Sequence, residues 1–347
     1  MPADRIDLAE LRHHGDVEAR PGLLDFAVNV QGSAPPDWLR ARLAARLDGL
    51  GRYPSAEDEL AARVAVAARH GRRPDEVLLL AGAAEGFAML PRLTPRRAAV
   101  LHPSFTEPEL ALREAGVAVM RVVLAPPYVL DPARVPADAD LVVLGNPTNP
   151  TSVLHSADTI HELRRPGRVI VVDEAFADAV PGEPESLAGE HLPDVLVLRS
   201  LTKTWALPGL RCGYMLGAPD LLARLAHGRP HWPLGALQLE AFVATAEPRA
   251  VAESRVRAER IALDRDAMID RLTGLGIAVQ TPASGPFLLL QVEGGGHLRK
   301  HLADNGIAVR RADTFPGLDA DHLRVAVRGP AQVDRLIDAI RSATDPH

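Results

Sequence analysis

The chain has 347 residues, of which 47% are hydrophobic and 24% charged, and a formal net charge of −6. This balance excludes a disordered polyelectrolyte and supplies no basic stripe for a nucleic-acid backbone. Cys212 is the only cysteine, which excludes an internal disulfide and any thiolate cluster for a metal or iron–sulfur centre.

The opening residues, MPADRIDLAELRHHGD, lack the apolar core of a signal peptide, and no apolar run is long enough to span a bilayer, so a cytoplasmic protein is expected. From about residue 52, short β-branched or leucine-rich runs follow one another: EVLLLAG, RAAVLHP, GVAVMRVVL, LVVLGN, RVIVVDEAF and DVLVLRS. Segments of helical period lie between them: DELAARVAVAARHG, EGFAMLPRL, EPELALREAG and ADTIHELRR. The alternation predicts an α/β fold with a large domain, a mostly parallel sheet flanked by helices. Near HGRPHWPLGAL the Gly and Pro residues, two of each, break any helix and mark a junction. A long amphipathic segment from about Glu247 to Leu275 follows, then GIAVQTP, PFLLLQV, GIAVRR and HLRVAV with two helical stretches, which predicts a small α+β domain. The expected division is 1–50, an N-terminal segment joining the small domain; 51–235, the large domain; and 236–347, the small C-terminal domain.

In sheets of this kind ligands sit at the carboxyl ends of the strands. Small residues, AGAAEG, follow one predicted strand and open a helix whose free N–H groups suit a phosphate, although packing alone also accounts for them. An Asn/Pro-rich loop, GNPTNPTS, follows another. DEAF sets Asp173 at the end of a buried strand, where a carboxylate needs a cationic partner or caps a helix. RSLTK sets Lys203 after the last. A phosphate acceptor, an amide, a carboxylate and a lysine at neighbouring strand ends together suit pyridoxal 5′-phosphate (PLP).

With these motifs the sequence resembles fold-type I PLP enzymes of the class I/II aminotransferase family, most closely threonine-phosphate decarboxylase of cobalamin biosynthesis and histidinol-phosphate aminotransferase. The resemblance implies that Lys203, in SLTKTWALPGLRCGY, bonds the cofactor, with Ser200, Thr202 and Arg211 as phosphate ligands. It further implies Asn149 at the ring oxygen, Asp173 at the pyridine nitrogen, and Ala175 and Phe105 against the two ring faces. The backbone of Ala83 and Ala84 and the side chain of Glu85 are implied to line the phosphate corner. Tyr53, in GRYPSAEDEL, is implied to reach the cofactor phosphate of a second subunit, which makes a homodimer the expected assembly. Arg324 is implied to grip the substrate carboxylate, and Arg311, His14 and Asn29 are the further substrate-binding candidates. For His14 and Arg311, solvated surface charge is the competing reading.

Three positions depart from the family pattern: Phe176 stands where a tyrosine is common, Ser152 replaces a loop glycine, and Gln31-Gly32 changes the FAVNVQGSAPP segment. Lys203 and Asp173 serve transamination and decarboxylation alike. LRHHGD, DEAF and RRADTFPGLDADHLRVAV favour the decarboxylase as the main reading, with histidinol-phosphate-type transamination as the alternative. Ser200 to Lys203 also fit the Ser-x-x-Lys motif of penicillin-binding hydrolases, but the Ser-Asp-Asn and Lys-Thr-Gly tripeptides that should accompany it are missing. His297 with His301 and His227 with His231 read as solvated histidines rather than metal ligands, and Trp232 as a packed residue at the domain junction.

Overall fold

The computed structural model describes residues 8, 10–13 and 17–344. In chain order its strands are β1 (Leu24–Asp25), β2 (Val77–Leu80), β3 (Arg97–His102), β4 (Ala118–Val123), β5 (Leu141–Gly145), β6 (Val169–Asp173), β7 (Val195–Ser200), β8 (Gly213–Leu216), β9 (Ala278–Val279), β10 (Phe287–Gln291), β11 (Ile307–Ala308), β12 (Arg310–Arg311) and β13 (His322–Ala326). The helices are α1 (Asp37–Ala44), α2 (Ala56–Arg69), α3 (Ala83–Met89), α4 (Glu107–Glu114), α5 (Ala157–His161), α6 (Pro219–Ala226), α7 (Ala236–Ala246), α8 (Pro248–Thr273), α9 (Gly295–Asp304) and α10 (Pro330–Thr344).

Seven strands form the large sheet in the order β2-β8-β7-β6-β5-β3-β4. All neighbours are parallel except β8, which runs antiparallel to both β2 and β7. The unbroken apolar runs of these strands follow from burial on both faces. In β5, Val142 and Leu144 enter one core with Val172 and Val197, while Leu141 and Val143 enter the opposite core with Val171 and Leu198. Helices therefore cover both faces, as the alternation predicts. β8 carries no such signal, because GYML is too short to show a period.

A second sheet, in the order β12-β13-β10-β9, is wholly antiparallel and packs against α8, α9 and α10 around Leu288, Leu290, Leu323 and Val325. Of the N-terminal segment, Leu24 and Asp25 pair in parallel with Ile307 and Ala308 beside it, whereas α1 packs against α7 and its Leu39, like Leu239 and Phe242 of α7, enters the core of the large sheet, so neither 1–50 nor 236–347 falls wholly on the small-sheet side. α8, 26 residues and about 39 Å long, matches the segment expected from Glu247 to Leu275. No helix among the described residues is long and apolar enough to cross a membrane.

Candidate active site

Register brings the chemistry together. Asp173 ends β6 opposite Gly145 of β5 and Leu198 of β7, so the Asn/Pro loop, the DEAF turn and the SLTK turn leave the sheet side by side. They open into a cavity of about 480 Å³ between the two sheets. Ala83, Ala84, Phe105, Asn149, Asp173, Ala175, Ser200, Thr202, Lys203, Arg211, Asn29 and Arg324 all line it.

One corner is built for an anion. Gly82 (φ 86°) turns β2 into α3, and Arg211, itself left-handed at φ 60°, lays its guanidinium against that turn. A Cβ on Gly82 would lie 2.7 Å from Arg211 Nη2, and one on Gly213 would lie 2.6 Å from the Ala83 nitrogen. Only glycine lets β8 approach the start of α3 closely enough to set Ala83, Ser200, Thr202 and Arg211 around one space.

Of the two acids in DEAF, Asp173 faces the cavity and Glu174 faces away. The Asp173 carboxylate accepts from the Ala175 N–H at 3.1 Å. Burial pushes it up to about 7, against the opposing pull of the Lys203 charge. Its edge opens onto the cavity and the rest is enclosed by protein, so a cation delivered through the cavity can reach it. Glu174 instead accepts from Arg199 Nη1 (2.9 Å), Ser186 Oγ (2.6 Å) and the Leu187 N–H (2.7 Å), which ties the ends of β6 and β7 together.

The opposite wall comes from the small sheet. Arg324 Nη1 donates to Asn149 Oδ1 at 2.9 Å, and Nη2 donates to the Ala27 carbonyl. Burial first, then the neighbouring charge of Arg310, pushes the Arg324 guanidinium down to about 9. Arg310, 2% exposed, also lines the cavity and donates to Thr314 Oγ1 (2.6 Å) and the His13 carbonyl (2.8 Å).

Several expected residues lie elsewhere. Arg311 does not line the cavity; Arg310 does. The register explains the exchange, since Arg310 opposes Arg324 across β12 and β13 and shares its face, while Arg311 opposes Leu323 and forks onto Asp313, with Nε 2.6 Å from Oδ1. Glu85 turns away from the anion corner, accepting from the Ala81 N–H (2.6 Å) and from Arg229 through both oxygens (2.9 and 2.8 Å). An ionised carboxylate has no proton to donate to a phosphate; this one braces the turn from behind. Tyr53, 75% exposed, stacks on Trp232 with ring centroids 4.5 Å apart and is outside the cavity of its own chain. Trp232, 58% exposed, is therefore not a packed junction residue. His14 lies outside the described residues.

The sequence reading did not single out His13, Thr106, Glu107, Thr314 and Phe315, which also line the cavity. His13, Thr314 and Phe315 lie within the LRHHGD and RRADTFPGLDADHLRVAV motifs, and Arg310 is one step from Arg311, its face set by strand parity. Phe176 lies edge-on to Phe287 at 4.9 Å, and Arg324 covers Phe287 at 5.8 Å. Ser152, also left-handed at φ 64°, accepts from the Gly285 N–H at 2.7 Å, a bond that glycine at this position would lack.

Comparison with known proteins agrees with this geometry. Residues 22–340 match the family "Aminotransferase class I and II". A histidinol-phosphate aminotransferase of Mycobacterium tuberculosis is 59% identical over 325 residues, 94% of this chain and 89% of that protein. The threonine-phosphate decarboxylase of Salmonella typhimurium is 31% identical over 333 residues, 92% and 91% of the two chains. The structure of the histidinol-phosphate aminotransferase from Clostridium acetobutylicum superposes with a TM-score of 0.85 at 24% identity, covering 92% of this chain and 99% of that one, and shares the fold. The chain therefore belongs to the class I and II aminotransferases, enzymes that work with pyridoxal 5′-phosphate.

Proposed function

We propose that this enzyme transfers the amino group of a phosphorylated amino alcohol of the histidinol-phosphate type to 2-oxoglutarate. The observation that carries the reading is a cavity with two separate cationic regions: Arg211 at the end of the large sheet and the Arg310–Arg324 pair on the small sheet. Guanidiniums present planar, paired N–H donors that match the oxygens of a phosphate or carboxylate. One region suits the phosphate of the cofactor and the other the phosphate or carboxylate of a substrate. The relative at 59% identity supports transamination more strongly than the decarboxylase at 31% supports the main sequence-based reading, although the terminal motifs favoured the latter.

The residues present fit the cofactor. The Gly213 cradle that a Cβ would fill leaves the Ala83 N–H open to a phosphate, and the enclosed Asp173 carboxylate calls for a cation such as a protonated ring nitrogen. Bound there, the cofactor supplies an electron sink for the bonds at the substrate Cα. Ser200, Thr202, Arg211 and the backbone at Ala83 and Ala84 would hold its phosphate, Asn149 would meet the ring oxygen, and Phe105 and Ala175 would flank the ring. Lys203 Nζ holds the cofactor between turnovers and moves the proton taken from Cα. Asp173 keeps the ring nitrogen charged, an electrostatic role. Arg324, Arg310 and Asn29 orient the substrate, with Arg324 also receiving a carboxylate of the acidic amino partner. A second copy of the chain covers the exposed Tyr53–Trp232 stack in a homodimer.

The test offers histidinol phosphate with 2-oxoglutarate and, separately, threonine phosphate. Glutamate formed in the first reaction supports the proposal. Carbon dioxide released from threonine phosphate, without glutamate from histidinol phosphate, overturns it in favour of decarboxylation.

A further inference from the structure

Residues 24–31 form a strap that runs from the small sheet to the cofactor lysine. Its start is fixed by sheet bonds: Leu24 N–H donates to the Gly306 carbonyl and Phe26 N–H to Ala308, each at 2.8 Å. Its far end is fixed by the Gln31 N–H, which donates to the Lys203 carbonyl at 2.9 Å. Between these ends the strap has no continuing strand partner, and its carbonyls must find other donors. Ala326 N–H takes the Phe26 carbonyl at 2.8 Å, and Arg324 takes that of Ala27.

Three further carbonyls, of Asp25, Val28 and Val30, converge on one side chain that no motif singled out. Arg328 donates from Nε to the Asp25 carbonyl (2.9 Å), from Nη2 to Val28 (2.6 Å) and from Nη1 to Val30 (3.2 Å). Asn29 lies between the last two. It is 3% exposed and lines the cavity, and its Oδ1 has no hydrogen-bond partner within the chain. A buried amide oxygen left unpaired is held for a donor that arrives from outside, because burial without one is costly. The carbonyls of the residues before and after Asn29 accept from the same guanidinium, so its aim depends on Arg328.

We infer that Arg328 is a positioning residue: it clamps the Val28–Val30 arch so that the Asn29 amide points at the substrate while the strap stays bonded to Lys203. The inference rests on the reading of Asn29 as substrate-facing. Arg328 touches neither cavity nor reacting atoms, and its effect passes through Asn29. The planar fork matters, since three divergent nitrogens reach three carbonyls and a lysine ammonium reaches them less well.

The test uses Arg328→Met and Arg328→Lys in the cofactor-loaded enzyme. Arg328→Met should raise KM for histidinol phosphate about 10-fold, the loss expected for one oriented hydrogen bond, with kcat within about 3-fold. Arg328→Lys should recover part of that loss. Asn29→Ala should raise KM comparably, and the double variant should be no worse than Asn29→Ala alone, because the two residues act in series. Amide hydrogen exchange in peptides spanning 24–31 should rise about 10-fold in Arg328→Met, with β5 to β7 unchanged. Fully additive KM losses, an unchanged strap exchange rate, or a uniform rise across the chain would overturn the inference. If wild type does not turn over histidinol phosphate, the proposed function fails, and the exchange measurement still decides the clamp.

Discussion

Replacing Gly213 by alanine tests the anion corner directly. The added Cβ would lie 2.6 Å from the Ala83 nitrogen, 2.9 Å from the Arg199 carbonyl oxygen and 2.9 Å from the Gly82 carbonyl carbon. All three are backbone atoms on two elements, so no side chain can swing aside. Ordinary contact begins near 3.4 Å, which requires the start of α3 to move away from β8 by about 0.8 Å. The overpacking itself costs about 1–3 kcal/mol. A shift of this size removes at least one charge-assisted hydrogen bond to a phosphate, about 1.5–3 kcal/mol, or roughly 10- to 150-fold in Kd. The assay titrates cofactor-free enzyme with pyridoxal 5′-phosphate and with pyridoxal, following absorbance. Only the phosphorylated form should weaken, and Gly209→Ala in the same stretch, with nothing within 4 Å of its Cβ, should bind both normally. Binding of pyridoxal 5′-phosphate within 2-fold of wild type, or an equal loss for both compounds, would refute the reasoning.

Arg310→Gln should raise KM for histidinol phosphate by about 10- to 100-fold, the scale of a lost charged hydrogen bond, and Arg311→Gln by less than about 3-fold; steady-state kinetics showing the reverse order would restore Arg311 to the site. Asp173→Asn keeps volume but cannot hold a protonated ring nitrogen, so kcat should fall about 100-fold or more while borohydride still fixes the cofactor to Lys203; near-normal turnover would remove Asp173 from the chemistry. His155 is buried, accepts from the Leu130 N–H at 3.3 Å, and is pushed down to about 4 by burial. Its folded value lies below the unfolded 6.5, so its stabilisation is complete above pH 6.5 and is lost as pH falls toward 4, up to about 3 kcal/mol. Denaturation midpoints between pH 7.5 and 4.5 should slope less steeply for His155→Gln than for wild type, and equal slopes would contradict this.

What the sequence reveals follows from what its signals physically encode. Strands buried on both faces must be apolar throughout, so β3, β5, β6 and β7 were legible, and with them the strand-end positions of Asn149, Asp173 and Lys203. β8 was not, because four residues running antiparallel between two buried strands carry no period of their own. The choice between Arg310 and Arg311 was beyond periodicity as well: β12 is two residues long, and its facing is set by the pairing with β13. Glu85 illustrates a third limit, since a motif gives the residue's position in the turn but not whether its side chain looks forward to the ligand or back to Arg229.

Ser152, which departs from the glycine usual in its loop, has a physical account once the two sheets are seen together. A serine in the left-handed region costs roughly 1–2 kcal/mol relative to glycine. Its hydroxyl accepts from the Gly285 N–H and its carbonyl from the Ser284 N–H at 2.8 Å, so two bonds join the Asn149 loop to the segment entering β10. Arg324 to Asn149 is a third link across the same seam, and Gln31 to Lys203 a fourth, carried by the strap from the small-sheet side. Each link ends on, or within a few residues of, a group that lines the cavity. In the proposed function the cofactor ligands stand on one sheet and the substrate arginines on the other, so the distance between Arg211 and the Arg310–Arg324 pair is set by these bonds and not by either core alone.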